Sequence, residues 1–251
     1  MRAILTYHSI DSSGSVISTS EESFRRHVKW LERGSAKVVS VKELLKLGDD
    51  VDAVALTFDD GFANFAETAS KVLADSGLTA TVFVVTDCVG GTNSWEFRSG
   101  ASVPLLPLMD WHQLSCLHEL GFTIGAHTRT HANLSQLDSA ELKSEISGSA
   151  ERVASELGLY PEGFAYPFGK ISPAAVREVS AGFGFACTTE FRPLSGPEPQ
   201  HLLPRLDMYY FRQRGRLESF GTQAFARYVA LRGRGRRLKS SLSRALRKSD
   251  G

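Results

Sequence analysis

The sequence predicts an α/β protein built as a parallel barrel, and two observations lead to this prediction. Seven short apolar runs alternate with amphipathic segments along most of the chain, which is the pattern of repeated β–α units. Glycine follows each amphipathic segment closely, as it commonly follows helices. A chain of 251 residues is long enough to form one such barrel as a single domain.

The strands and helices follow from these runs in chain order. Strands are predicted at residues 2–7, 36–40, 53–58, 79–85, 122–127, 163–167 and 184–188. Helices are predicted at residues 21–33, 62–76, 111–120, 138–157 and 172–181, the first of them after a start, STSEE, that is similar to a capping box. Seven strands predict an incomplete (β/α)7-type barrel, whose reactive residues belong at the carboxyl ends of the strands.

The composition changes after residue 211. Residues 212–251 hold twelve Lys and Arg residues against Glu218 and Asp250, a net charge of +10, whereas the rest of the chain carries −9. Apolar residues between 217 and 231 have helical spacing, and the stretch beyond Gly233 predicts a short basic amphipathic helix. We therefore predict a catalytic domain over residues 1–211 and a basic helical extension or tail over residues 212–251.

Composition also bears on compartment and partners. Three cysteines without a CxxC pair indicate neither a disulfide framework nor a thiolate zinc site. The apolar run at residues 2–7 is too short for the hydrophobic region of a secretion signal. No apolar run reaches the ~18 residues of a membrane span, so we expect a cytoplasmic protein. Leu238, Leu242 and Leu246 recur every four residues in the basic tail, which suits peripheral contact with the inner membrane leaflet, although a solvated disordered tail is the alternative. The basic stretch lacks a nucleic-acid recognition fold and the body is acidic, so we expect no specific nucleic-acid partner, with non-specific binding by the tail as the alternative. Oligomeric state is not predicted.

Polar residues follow four of the predicted strands, and the carboxyl ends of those strands form one edge of a barrel, here called the rim. His8 follows strand 2–7, Asp59 and Asp60 follow strand 53–58, and His127 ends strand 122–127. Residues 167–169 follow strand 163–167, and the Gly- and Pro-rich segment 89–109 predicts a long loop over the rim. These segments should therefore converge on one site.

The stretch HTRTH suggests a metal site. His127 and His131 are four residues apart, so on a helical turn both imidazoles project to one side, where a carboxylate from FDDG can be the third ligand. Asp59 and Asp60 cannot point the same way at a strand end, so they can take different tasks. The alternatives are two surface histidines and an Asp-Asp-Gly turn without chemistry.

Together these residues resemble the polysaccharide deacetylases of carbohydrate esterase family 4, which share the NodB homology domain. The resemblance covers roughly residues 1–210 and rests on TFDDG (57–61), DW (110–111), HTRTH (127–131) and FAYPFG (164–169). It implies a distorted, incomplete (β/α)7 barrel and hydrolysis of the acetamide of N-acetylated amino sugars. The substrate would be an N-acetylglucosamine-containing oligo- or polysaccharide, or a lipid-linked saccharide.

The resemblance also implies roles for individual residues. Asp60, His127 and His131 would bind a divalent metal, usually Zn²⁺, with Co²⁺ or Ni²⁺ as alternatives. Asp59 would be the general base on the attacking water. The backbone N–H of Phe168 would stabilise the oxyanion, so the Phe168 side chain should be replaceable.

The sequence departs from the usual family pattern in two places. It has no Leu-x-His strand near the C-terminus, but ILTYHSI resembles the N-terminal motif of the circularly permuted poly-N-acetylglucosamine deacetylases, which implies His8 as the general acid. The third motif lacks the arginine that orients the base. Arg205 is a candidate substitute, and a surface role is the alternative.

Four further residues are candidates for saccharide binding. Tyr166 and Pro167 lie in the third motif. Trp111 matches a fourth motif that lines the substrate groove, although a core position suits it equally, and Trp95 in the rim loop could stack on a sugar ring. Two other functions are left open: a catalytically inactive carbohydrate-binding protein, and an amide hydrolase acting on a non-sugar substrate.

Overall fold

The computed structural model describes residues 1–95 and 103–249, with side chains through Arg236. Its strands are short, and most of their residues are buried. They are β1 (Arg2–Tyr7), β2 (Ser9–Ile10), β3 (Ser18–Thr19), β4 (Lys37–Val38), β5 (Ala53–Phe58), β6 (Thr81–Val84), β7 (Thr123–Ala126), β8 (Gly163–Ala165), β9 (Phe185–Cys187) and β10 (Leu206–Asp207). All seven predicted strands are present, and the sequence did not predict β2, β3 or β10.

Within these residues, the central sheet has eight strands and every pair in it is parallel. The order is β10-β1-β5-β6-β7-β8-β9. In addition, β4 pairs with the first residues of β5, Ala53 and Val54, whereas β6 pairs with its last residues, Thr57 and Phe58. A parallel bridge between Cys187 and Leu203 joins β9 to the segment that leads into β10, so the sheet curls round on itself. This confirms the predicted distorted, incomplete barrel.

Helices surround the sheet, and polar side chains cap several of their first turns. They are α1 (Glu21–Glu32), α2 (Val41–Leu44), α3 (Ser70–Asp75, continuing a π-helical turn at Phe65–Ala69), α4 (Trp111–Glu119), α5 (Ser139–Leu157), α6 (Pro173–Gly182) and α7 (Gln223–Ser249). The Asp138 side chain caps α5 by accepting hydrogen bonds from the backbone N–H groups of Ala140 and Glu141. The five predicted helices are confirmed within a few residues.

The C-terminal extension differs from the prediction, because α7 is one helix of 27 residues rather than a short basic helix beyond Gly233. Leu217, Phe220, Phe225 and Val229 are buried in the same apolar cluster as β1 and α1. The core therefore continues past residue 211 into the first half of α7. None of the helices in the described ranges is both long enough and apolar enough to span a membrane.

Candidate active site

The rim of the barrel contains a cavity of about 370 Å³, formed where the strands end. Seven predicted site residues line this cavity, together with four further residues from three loops. The lining residues are His8, Val16, Ile17, Asp59, Asp60, Val103, His127, His131, Tyr166, Phe168 and Thr189. The predicted convergence of sequence-distant segments is thus seen directly in the geometry.

Asp60, His127 and His131 form a compact buried group in this cavity. Asp60 Oδ1 lies 3.4 Å from Nε2 of both His127 and His131. One potential ligand atom from each residue lies within 4.8 Å of the others. The HTRTH segment is not a helical turn as predicted: Thr128 and His131 have φ values of +66° and +61°, and the Thr128 hydroxyl accepts the His131 N–H at 3.0 Å. This tight loop brings both imidazoles to Asp60.

The hydrogen bonding of this group suits a divalent metal ion. His127 Nδ1 donates to the Ala165 carbonyl at 2.7 Å, which directs Nε2 toward Asp60. Burial lowers the pKa of His131 to about 3, so its imidazole is neutral and able to coordinate. Asp60 Oδ1 is buried and has no hydrogen-bond partner in the described part of the chain. A cation would satisfy that oxygen, so the residues fit a metal.

Asp59 faces a different partner from Asp60, as strand alternation predicts. Arg205 donates from Nη1 to Asp59 Oδ1 and from Nη2 to Oδ2, each at 2.7 Å. Both side chains are buried, and Arg205 Nε also donates to the Thr188 carbonyl at 3.0 Å. Burial raises the pKa of the Asp59 carboxyl, but the Arg205 guanidinium outweighs burial and holds that pKa well below its usual range. Asp59 is therefore ionised and fixed in orientation.

His8 lies next to Asp59 because of the strand register. Tyr7 of β1 pairs with Phe58 of β5, so the residues that follow these two strands are neighbours on the rim. His8 Nε2 lies 3.9 Å from Asp59 Oδ2, and the His8 side chain is 24% exposed. An imidazole and a carboxylate are thus close together beside the buried group of Asp60, His127 and His131.

The FAYPFG segment forms a tight turn after β8. Phe168 has a φ of +56°, a conformation that is rare for a residue with a side chain. Its ring is 43% exposed and lies 4.4 Å from the His131 ring, centroid to centroid, so the side chain packs against His131, and its replaceability stays a prediction. Pro167 is buried beneath the turn. Tyr166 is fully buried, and its hydroxyl has no partner within the described residues.

Trp95 and Trp111, both predicted to bind saccharide, lie outside the lining of this cavity. Trp95 is only 5% exposed and packs with Phe62, Val85 and Leu108. Its ring lies 4.9 Å from the His131 ring, so Trp95 packs beside His131 in the core, which contradicts the expectation that it stacks on a sugar ring from a solvent-facing loop.

Trp111 is not among the cavity-lining residues. It begins α4, and its ring lies 5.9 Å from the Arg152 guanidinium. Asp110, its neighbour, caps α4 by accepting the Gln113 N–H at 2.7 Å. Helix capping and packing thus account for the DW pair, and a groove-lining role for Trp111 stays a prediction.

Four residues that line the cavity were not among the site residues predicted from the sequence. Thr189 lies just after β9, and the rule that places reactive residues at strand ends could have indicated it. Val16 and Ile17 come from the loop between β2 and β3, and Val103 comes from the loop before α4. No pattern in the sequence indicates Val16 and Ile17, because their apolar side chains are typical of ordinary loop packing, whereas Val103 lies in the segment 89–109 predicted to cover the rim.

A buried carboxylate–histidine group beside a second, arginine-paired carboxylate at the rim of a parallel barrel is suited to metal-assisted hydrolysis. Residues 46–187 match the sequence model described as polysaccharide deacetylase, which covers more than half of the chain. The chain belongs to this family, whose members hydrolyse N-acetyl amide bonds in sugars and are generally metal-dependent. The family resemblance seen in the sequence is thus confirmed.

Individual relatives have low sequence identity to this chain but align with most of its length. YxkH of Bacillus subtilis, whose name gives it provisionally as a polysaccharide deacetylase, is 26% identical over 209 residues, which is 81% of this chain and 70% of that protein. The poly-beta-1,6-N-acetyl-D-glucosamine N-deacetylase of Staphylococcus epidermidis is 24% identical over 203 residues, covering 75% and 67%. The deacetylase PplD of Streptococcus pyogenes, solved with acetate, has a similar fold, with a TM-score of 0.69, 20% identity and coverage of 82% and 91%.

Proposed function

We propose that this protein is a metal-dependent N-deacetylase that hydrolyses the acetamide of N-acetylated amino sugars in glycans containing N-acetylglucosamine. One observation carries the proposal: a single cavity of about 370 Å³ is lined by Asp59, Asp60, His127, His131 and His8. Membership of the family supports the reaction class. The name of the S. epidermidis relative supports a polymer of N-acetylglucosamine as the substrate class.

Asp60, His127 and His131 would hold the metal, and zinc suits this set of donors. Two imidazole nitrogens and one carboxylate are a common ligand set of catalytic zinc and leave a further position open. Co²⁺ and Ni²⁺ accept similar ligands. A divalent cation at this point would make water a stronger nucleophile at neutral pH and would polarise the acetamide carbonyl.

Asp59 would act as the general base. Its carboxylate is buried, ionised and held in one orientation by two hydrogen bonds from Arg205. A fixed carboxylate beside the attacking water can accept its proton without first having to be oriented. Arg205 would then be a positioning residue, since it acts through Asp59.

His8 and Phe168 would complete the reaction. The departing nitrogen needs a proton because an amine anion is a poor leaving group, and His8, at 3.9 Å from Asp59, is close enough to act on the same amide. The Phe168 N–H, on the positive-φ turn of the cavity wall, would donate to the oxyanion. A donor of this kind is typically worth about 3–4 kcal/mol of transition-state stabilisation.

Acetate release from N-acetylglucosamine oligosaccharides, measured with added Zn²⁺ and with a chelator, tests the proposal. We expect metal-dependent release by the wild type. Asp59→Asn should keep its metal, measured by elemental analysis, and lose nearly all activity. His131→Ala should lower the metal content, whereas the matched control His118→Ala, at an exposed position on α4, should change neither quantity.

Two results would overturn the proposal and each would favour one alternative. Oligosaccharide binding without acetate release would indicate a catalytically inactive carbohydrate-binding protein. Hydrolysis of small cyclic amides but not of N-acetyl sugars would indicate an amide hydrolase with a non-sugar substrate.

We also propose that the basic end of α7 brings the protein to an anionic membrane surface on the cytoplasmic side. Residues 212–251 carry a net charge of +10, and the helix continues to Ser249. Each Lys or Arg near an anionic bilayer contributes about 1 kcal/mol. Truncation after Arg236 removes a net charge of +4 and keeps the buried Phe225 and Val229, so it should reduce co-sedimentation with anionic liposomes. Unchanged co-sedimentation would refute the idea.

A further inference from the structure

A second cavity, of about 300 Å³, lies beside the catalytic cavity and is closed on one side by α7. Its lining includes Gly169, Ile171, Thr189, Glu190, Phe191 and Arg236. Thr189 lines both cavities, and Gly169 directly follows Phe168 of the catalytic cavity. The two cavities are therefore neighbours along the rim.

Two glycines keep this second cavity close to the barrel. Gly169 has a φ of +64°, and a Cβ there would collide with the Thr189 side chain, so the partition between the cavities is thin. A Cβ on Gly233 would lie 3.0 Å from the Phe191 carbonyl oxygen, so the lack of a side chain lets α7 approach the segment after β9. The helix is thus built to form a wall of this cavity.

Arg236 projects from α7 toward the rim and is held in place. Its Nη1 lies 3.2 Å from the Tyr210 hydroxyl and 3.5 Å from Asp207 Oδ2, and its Nη2 donates to the Thr189 carbonyl at 3.4 Å. The guanidinium carbon lies 5.5 Å from the Phe191 ring and 5.4 Å from the Tyr210 ring. A guanidinium has five N–H donors, so these three contacts within the described residues leave donors for a ligand.

The lining combines the groups that recognise a sugar ring. Ile171, 38% exposed, offers apolar surface above the buried Phe191, while the Thr189 hydroxyl, the Glu190 carboxylate and the Arg236 guanidinium offer hydrogen bonds. The Arg236 side chain is 31% exposed, so a ligand can reach it without unfolding the wall. A volume of about 300 Å³ is at the lower end of small-molecule sites, which suits one sugar unit.

We propose that this second cavity binds the sugar unit adjoining the one that loses its acetyl group, with Arg236 as the residue that determines this recognition. The inference rests on the proposed deacetylase function. It assigns a substrate-binding task to the C-terminal helix: α7 supplies the wall and the guanidinium. The protein should accordingly prefer oligosaccharides to single amino sugars.

Binding and kinetics with β-1,4- and β-1,6-linked pentamers of N-acetylglucosamine, compared with the single sugar, test the inference. Arg236→Ala should weaken binding of the preferred pentamer about tenfold, as loss of a charged hydrogen bond implies. It should raise KM more than it lowers kcat, and it should reduce the advantage of the pentamer over the single sugar. Arg234→Ala, at an exposed position on the same helix, is the matched control and should leave both unchanged.

The outcomes separate this inference from the proposed function. Equal pentamer affinity for wild type and Arg236→Ala would overturn the inference even if acetate is released. Pentamer binding that weakens in Arg236→Ala, with no acetate release by the wild type, would support the second cavity and refute the deacetylase. A wild type that binds neither pentamer would overturn the inference.

Discussion

Replacing Arg205 with methionine would remove both hydrogen bonds that Arg205 donates to the Asp59 carboxylate. Asp59 and Arg205 are 4% and 2% exposed, so the carboxylate would be left as an unpaired charge in the interior. Removing one partner of a buried ion pair typically costs about 3–5 kcal/mol, a large part of the roughly 5–15 kcal/mol that stabilises a domain. Arg205→Met should therefore lower the free energy of unfolding by about 3 kcal/mol or more.

Urea unfolding of the metal-free protein, followed by circular dichroism, measures this loss. Arg205→Lys should also be destabilised, because one ammonium cannot match both carboxylate oxygens as the guanidinium does. Asp59→Asn combined with Arg205→Met should be less destabilised than the two single changes predict together, by about 1–3 kcal/mol. If the single losses add to within about 0.5 kcal/mol, the two side chains do not stabilise each other and the positioning role of Arg205 is refuted.

Two further predictions concern histidines. Burial lowers the pKa of His27 to about 4, and its neutral ring is paired with the Tyr7 hydroxyl at 3.1 Å and the Phe211 carbonyl at 3.0 Å. In the unfolded chain His27 takes up a proton near pH 6.5, whereas in the folded protein it does so only near pH 4. The contribution of the neutral ring to the free energy of unfolding, about 3 kcal/mol, is therefore complete above pH 6.5 and is lost as the pH falls toward 4. His27→Gln should flatten this part of the urea stability profile, and equal slopes for both proteins would contradict the assignment. His8→Ala should depress acetate release while zinc content stays at the wild-type level; undiminished turnover would exclude His8 as the acid.

Local patterns are enough to predict the strands, most of the helices and the rim position of Asp59, Asp60 and His127. A buried strand is recognisable from its own apolar residues, and the polar residue that follows it must lie where the strand ends. The alternation of side chains also predicts that Asp59 and Asp60 face different partners, as they do toward Arg205 and the histidines.

Contacts between distant segments could not be predicted in the same way. Arg205 is 146 residues from Asp59 in the chain, and the two meet because β10 pairs with β1 while β1 pairs with β5. Tryptophan is a residue type that can stack on sugar rings, but the packing around Trp95 and around Trp111 decides whether the indole ring is exposed to solvent. The core positions of Phe225 and Val229 likewise depend on where α7 docks.

The sequence by itself determined the barrel class, the order of its elements and the residue types that meet at the rim, because these depend on periodicity and strand ends. Only the tertiary structure decided the pairing of Asp59 with Arg205, the placement of His131 between Trp95 and Phe168, and the second cavity under Arg236. These depend on strand register and on the close approach of distant backbones, which no local pattern specifies.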